Sequence, residues 1–294
     1  LLPWGDIAYR LNVFSALTGA GVIVLVYYIV RIFLERLGYG ADYECRNVSM
    51  VWVASISATS LAVSPLFWSQ SLITEVYSLS TFFVALLMLL VLIWIKEPQG
   101  RWKLLPIGAF LFGLGLGNHL ILIFVLPSLI FAIVLRRECL TPRVAWSSIG
   151  MLLIGLSVYL YLPISARQDP PISWGDPREL KGFLWTVLGT PYHKYAFGLP
   201  LGDLTERVVE WADLLVRQFN VVGLFVGIVG VWRLRLDSLF LLVFTGLLFI
   251  SSVFYSVMYD TDDAQVYLLA AFLVFSLWIG VGLYWTIDLT SDLL

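Results

Sequence analysis

The chain has 294 residues, of which 60% are hydrophobic and 13% charged, with a formal net charge of −2 and a mean hydropathy of +0.90. These values exclude an ordinary soluble domain and place the chain among polytopic membrane proteins. A nearly neutral charge argues against a nucleic-acid partner.

A helix needs about 20 apolar residues to cross roughly 30 Å of hydrocarbon. By that standard the expected fold is an all-α polytopic membrane protein of about nine transmembrane helices, a single transmembrane domain over 1–294. The expected spans are 12–34, 48–66, 77–95, 104–117, 120–135, 144–163, 219–234, 238–257 and 265–287. The fourth and fifth are short and meet at Gly117, Asn118 and His119 with no room for a proper loop, so this pair is expected to be tilted or half-buried. The chain opens LLPWGDIAYR and ends TSDLL, and it reads as a piece of a longer protein.

Basic residues in short loops mark the cytoplasmic side. Arg31, Arg36 and Arg46 follow span one; Lys96, Arg101 and Lys103 follow span three; Arg136, Arg137 and Arg143 follow span five; Arg233 and Arg235 follow span seven. The intervening short loops carry Glu75, Asp260, Asp262 and Asp263 and no Lys or Arg. This alternation predicts that Leu1 and the long 164–218 loop lie outside. Cys45, Cys139 and the sequon at Asn47 then lie inside, as plain thiols and an unglycosylated Asn. The ladder Gly113, Gly115, Gly117 sits within a span with no preceding strand, so it is expected to serve close helix packing rather than dinucleotide binding.

The 164–218 loop is the only long stretch suited to water. Asp176-Pro177-Arg178-Glu179 and Asp203-Leu204-Thr205-Glu206 have the make-up of helix starts, with Asp176 and Asp203 as N-caps. Leu180, Phe183, Leu184 and Val187 share one face of the first expected helix, and Leu204, Val208, Trp211 and Leu215 share one face of the second, spacings that suit helices lying on the membrane surface. Trp174, Trp185, Tyr192, Tyr195 and Trp211 are expected at headgroup level.

Polar groups at the outer ends of several spans form the expected site: Glu75, Asn118, His119, Arg167, Trp174, Asp176, Tyr192, His193, Asp260, Asp263 and Tyr267. Such an acidic and aromatic surface bordered by lipid suits an enzyme with a lipid-linked substrate. Arg167 directly follows span six, where a guanidinium can grip a phosphate with two parallel hydrogen bonds; its plainer role is an anchor to headgroups. Glu75 reads equally as an interfacial carboxylate and as a pocket group. His119 reads first as a helix cap, since only one other His is present and a His-rich metal site is not expected. Asp260, Asp262 and Asp263, followed by Gln265 and Tyr267, read either as a solvated loop or as a cluster able to hold a divalent cation or sugar hydroxyls; no cofactor is firmly implied.

Five blocks in order, PWGDIAYRLNVFSALTGA, FWSQSLITEVYSL, FLFGLGLGNHL, YLYLPISARQDPPISWGDPREL with FLWTVLGTPYHKYAFGLP, and DTDDAQVYLLAAFLVF, resemble the membrane glycosyltransferase family of the GT-C type that includes the transmembrane protein O-mannosyltransferase of animals and many bacterial relatives. The resemblance implies transfer of a sugar, mannose or another hexose, from a polyprenyl-phosphate donor to a protein or glycan acceptor outside the cytoplasm. It implies an integral protein of the bacterial plasma membrane, or of the ER membrane if eukaryotic. It also places the general base upstream of Leu1, so no residue here is assigned that part, and it gives Arg167 the leaving phosphate. A transporter or flippase is the competing class. It predicts an inverted repeat and midplane charges, whereas the ionisable groups here cluster at span ends.

Overall fold

The computed structural model describes residues 5–38 and 44–291, with side chains given outside 44–47 and 288–291. The expectations for Cys45 and Asn47 therefore concern side chains outside the described residues. Among the described residues the regular elements are all helical. They are α1 (Ile7–Arg36), α2 (Glu44–Ala62), α3 (Pro65–Leu72), α4 (Tyr77–Lys96), α5 (Leu104–Leu116), α6 (Leu126–Leu135), α7 (Pro142–Leu156), α8 (Tyr161–Ala166), α9 (Leu180–Val187), α10 (Leu204–Asp237), α11 (Leu239–Met258) and α12 (Leu269–Ser291). Short 3₁₀ turns precede α6, α8 and α12.

All nine expected apolar segments are helical. Among the described residues six helices are long and apolar enough to cross a membrane, a seventh candidate is a bent pair, and Leu104–Leu116 and Leu120–Leu135 are shorter apolar helices. The chain is an integral membrane protein. Span two does not run straight to residue 66: Val48–Ala62 and Pro65–Leu72 meet at 68°. Pro65 has no N–H to continue the ladder and holds Ser64 extended, at φ −66° and ψ 129°.

Helix α12 is the axis of the bundle. Its sequence is apolar all round, as a helix enclosed by others must be, and Leu273, Val274, Leu277 and Val281 are fully buried. Helices α1, α2, α4, α10 and α11 surround it. Polar bonds fix its rotation: Ser57 Oγ donates to the Ser276 carbonyl (2.6 Å) and Trp278 Nε1 donates to Thr245 Oγ1 (2.9 Å). Helices α5 and α7 pack closely at one flank. A Cβ on Gly155 would run into the Phe110 carbonyl, and one on Gly113 into that of Leu152. The expected packing role of Gly113 is thus observed.

The basic span ends gather at one end of the bundle. Lys96 pairs with Glu35 (3.0 Å), Arg36 lies over Phe240 (4.5 Å) and Arg143 over Trp102 (5.0 Å). The long loop lies at the opposite end, where its Tyr195 carbonyl accepts from the Asp260 amide (3.0 Å).

Two helix starts in the loop differ from the reading above. Asp176 is not an N-cap: its carboxylate is held by Arg178 (2.6 and 2.8 Å), its φ is +44°, and α9 begins three residues beyond Pro177, at Leu180. Asp203 stands before Leu204 but accepts no capping bond, because its own backbone is already helical (φ −93°, ψ −5°). The expected surface helix and span seven are one element, α10, broken at Asn220 (φ 54°, ψ 176°). The Asn220 side chain accepts from the amides of Val222 (2.9 Å) and Gly223 (3.1 Å), so it re-caps the second half. Just before the break, buried Gln218 accepts from the Leu66 amide (2.8 Å) and joins α10 to the start of α3. Gln218→Leu leaves that buried amide unpaired, and thermal melts in detergent should show a loss of about 1–3 kcal/mol.

Candidate active site

The end of the bundle that carries the long loop brings together residues from distant segments. Asn118, in the α5 corner, donates from Nδ2 to the Val76 carbonyl (2.9 Å) and to Ser80 Oγ (2.8 Å), which fastens that corner to the start of α4. His119 Nδ1 accepts from the Ile121 amide (3.1 Å) and so caps the start of the following turn, not the end of the preceding span that the sequence reading gave it. Its ring then lies between Tyr77 (5.6 Å) and Tyr267 (6.2 Å). Tyr267 also touches Tyr255 (5.3 Å) and Tyr259 (5.0 Å), and Tyr195 from the long loop closes the group on Tyr259 (6.1 Å). Four separate stretches thus build one aromatic floor with hydroxyl and imidazole edges.

Electrostatics follow from this packing. Burial above all, with the Asp263 carboxylate adding to it, holds the Tyr259 hydroxyl above its ordinary range, against a hydrogen bond with Tyr267 that acts the other way. Burial holds the His119 imidazole below its ordinary value, so it is neutral at pH 7, and with Nδ1 accepting from Ile121 its hydrogen sits on Nε2, which can donate one hydrogen bond. The unfolded chain protonates His119 from about pH 6.5 downward, whereas the folded chain resists until lower pH. This contribution to stability is complete above about pH 6.5 and declines as the pH falls. Melting temperatures from pH 7.5 to 5.5 should drop, and His119→Gln should flatten the drop.

The expected residues separate into three groups. Asn118, His119 and Tyr267 are brought together, and the charges of Glu75 and Asp263 both act on Tyr77 beside them. Glu75 itself is exposed and has no hydrogen-bond or ion-pair partner for its side chain among the described residues. Asp176, Trp174, Tyr192 and His193 are instead occupied in shaping the loop. Asp176 and Asp169 both pair with Arg178 (2.6 and 3.0 Å), Trp174 meets Trp185 (6.2 Å), Tyr192 stands in a 3₁₀ turn, and His193 Nε2 bonds the Leu188 carbonyl (2.9 Å). Arg167 follows α8 directly; its guanidinium is exposed and has no hydrogen-bond or ion-pair partner among the described residues. The three acidic residues have different neighbours: Asp260 meets the Tyr195 carbonyl through its backbone amide, the Asp263 charge acts on the tyrosines, and Asp262 lines a groove on α10. No group of three or more His, Cys, Asp or Glu able to hold a metal occurs among the described residues.

Sequence reading missed Tyr77, Tyr255 and Tyr259. The spacing of Tyr255 and Tyr259 puts both on one face of a helix end that precedes an acidic turn, which was the available signal.

Residues 1–141 match the family described as the Protein O-mannosyl-transferase TMEM260 N-terminal domain. The chain is 28% identical over 270 residues to the mouse Protein O-mannosyl-transferase TMEM260, with 87% of this chain and 36% of the mouse protein covered. It is 24% identical over 249 residues to the Protein O-mannosyl-transferase tmem260 of Dictyostelium discoideum, with 79% of this chain and 29% of that protein covered.

The chain is similar to the TMEM260 proteins over most of its length. It spans about a third of the length of the TMEM260 relatives it matches. The segment that matches the TMEM260 N-terminal domain takes in α1–α6, with Glu75, Asn118 and His119, while Arg167, the long loop and Tyr267 lie beyond it. No solved structure matches the chain.

Proposed function

We propose that this chain is the membrane part of a GT-C type glycosyltransferase. It transfers mannose or another hexose from a polyprenyl-phosphate donor to a hydroxyl of a protein or glycan acceptor outside the cytoplasm. The observation that carries this reading is likeness over most of the chain to proteins named as O-mannosyl-transferases. The aromatic and carboxylate surface at one end of the bundle supports it, because sugars are held by aromatic faces and by hydrogen bonds to their hydroxyls.

Transfer from a lipid phosphate makes two demands: the acceptor hydroxyl loses a proton, and the departing phosphate keeps a negative charge that must be stabilised. In this reading Arg167 meets the second demand. Its free guanidinium presents a planar fork to the phosphate at headgroup depth, and the phosphate remains on the lipid as the glycosidic bond passes to the acceptor oxygen. Neutral His119, Tyr267 and Glu75 line the sugar side. The general base is not assigned to any residue of this chain.

The test is transfer by the full-length protein in proteoliposomes, supplied with mannose on a polyprenyl phosphate or on a nucleotide. Transfer from the lipid-linked sugar alone is expected. Equal use of the nucleotide sugar would overturn the donor assignment.

A further inference from the structure

Beside the aromatic floor, where Arg207 Nη1 donates to the Tyr259 carbonyl (3.4 Å), the first half of α10 lies over α11 and α12 and forms two compartments divided by one side chain. Trp211, 8% exposed, belongs to both. On one side is an open polar groove of about 880 Å³, lined by Arg207, Glu210, Asp213, Arg217 and Asp262. On the other is an apolar slot of about 580 Å³, walled by Val208 and Leu215 of α10, Phe249 and Val257 of α11, and Phe272 of α12. The slot follows α11 from Val257, at the end near the loop, to Phe249, eight residues or roughly 12 Å deeper along the helix. Its direction is that of a hydrocarbon chain in a bilayer. Trp211, which borders the slot, lies 6.0 Å from the Arg207 guanidinium of the polar groove.

The charges choose among headgroups. Arg217 is paired with Asp213 (2.6 Å) and Arg207 with Glu210 (3.8 Å). Asp262 has no hydrogen-bond or ion-pair partner among the described residues. Three carboxylates therefore face two guanidiniums, and an anionic lipid would meet surplus negative charge. The groove does offer both signs side by side. Arg207, with its side chain 18% exposed, can take a phosphodiester, and Asp262 can take an ammonium group. An ammonium that retains N–H donors can hydrogen-bond the carboxylate, and a trimethylated one cannot.

We propose that these two compartments are one binding site for an ammonium-bearing zwitterionic phospholipid of the phosphatidylethanolamine type. One chain occupies the slot behind Trp211, and the headgroup spans Arg207 and Asp262. This site is separate from Arg167 and does not depend on the transferase reading.

The test uses the purified chain exchanged into an equal mixture of phosphatidylethanolamine, phosphatidylcholine and phosphatidylglycerol, with retained lipid read by native mass spectrometry. Phosphatidylethanolamine should be held several-fold over the other two. Asp262→Asn, at an exposed position, should lower it to the level of phosphatidylcholine. Ala212→Phe, which fills the slot from its exposed edge, should remove the retained lipid without changing the helical signal. Retention in proportion to the mixture, preference for phosphatidylglycerol, or an Asp262→Asn protein indistinguishable from wild type would each show that only annular lipid is bound and overturn the proposal. If Ala212→Phe fails to fold, the Asp262→Asn comparison alone decides.

Discussion

Gly230→Ala and Gly282→Ala are each expected to destabilise the protein by about 3 kcal/mol or more, above the usual range for overpacking. The sign is the informative part, because Gly to Ala within a helix ordinarily gains up to about 1 kcal/mol. Here α10 and α12 approach through reciprocal glycines. A Cβ on Gly230 would fall on the Trp278 carbonyl, and one on Gly282 on the carbonyl of Val226. Both obstacles are backbone, so relief requires the helices to separate, and separation would expose the packing of Phe219 and Phe275 (5.2 Å). Gly246 and Gly150 meet nothing within 4 Å, and Gly246→Ala and Gly150→Ala serve as controls that should be neutral or stabilising. Fluorescence-detected size exclusion after a heating series measures all four.

Much of the fold was legible because a bilayer leaves few choices: apolar runs must be helical, and their lengths and flanks are visible in the sequence. The tight corner at Gly117, Asn118 and His119 was legible for the same reason, although His119 caps the start of the next turn instead of the end of the preceding span. The bend between α2 and α3 was written in Ser64-Pro65 but hidden by a hydropathy window that runs smoothly across it. The start of α9 was misread because Asp176 has two local options. Its neighbour Arg178 offers two charge-assisted bonds, more than one backbone amide can give. Gln218 and Leu66 lie 152 positions apart, and the tyrosine floor draws on four separate stretches. Such juxtapositions arise from packing, which no local pattern encodes.

The second large effect concerns the candidate site. In the full-length protein, Arg167→Lys should lower kcat/KM for transfer from a polyprenyl-phosphate sugar by about 10²-fold, the scale on which loss of one preorganised oxyanion donor acts. The lysine keeps the charge but gives up the two-pronged geometry, and its ammonium is more strongly hydrated. Folding should be untouched, because Arg167 is exposed and bonds to no other side chain among the described residues. A headgroup anchor would tolerate lysine, so an unchanged kcat/KM would reduce Arg167 to that role. Steady-state kinetics in proteoliposomes, with melting curves alongside, separate the two.

The account stands on the claim that the sugar is handled at the end of the bundle where the long loop meets the α5 corner and the 259–267 turn. Photo-crosslinking measures this directly, using a polyprenyl-phosphate mannose that carries a diazirine on the sugar, followed by peptide mapping of the full-length protein. The predicted labels fall on the segments around Glu75, His119, Arg167 and Tyr259–Tyr267, and competition with unlabelled donor removes them. Competable labelling confined to the opposite end, around Arg36, Arg101 and Arg136, would contradict the account.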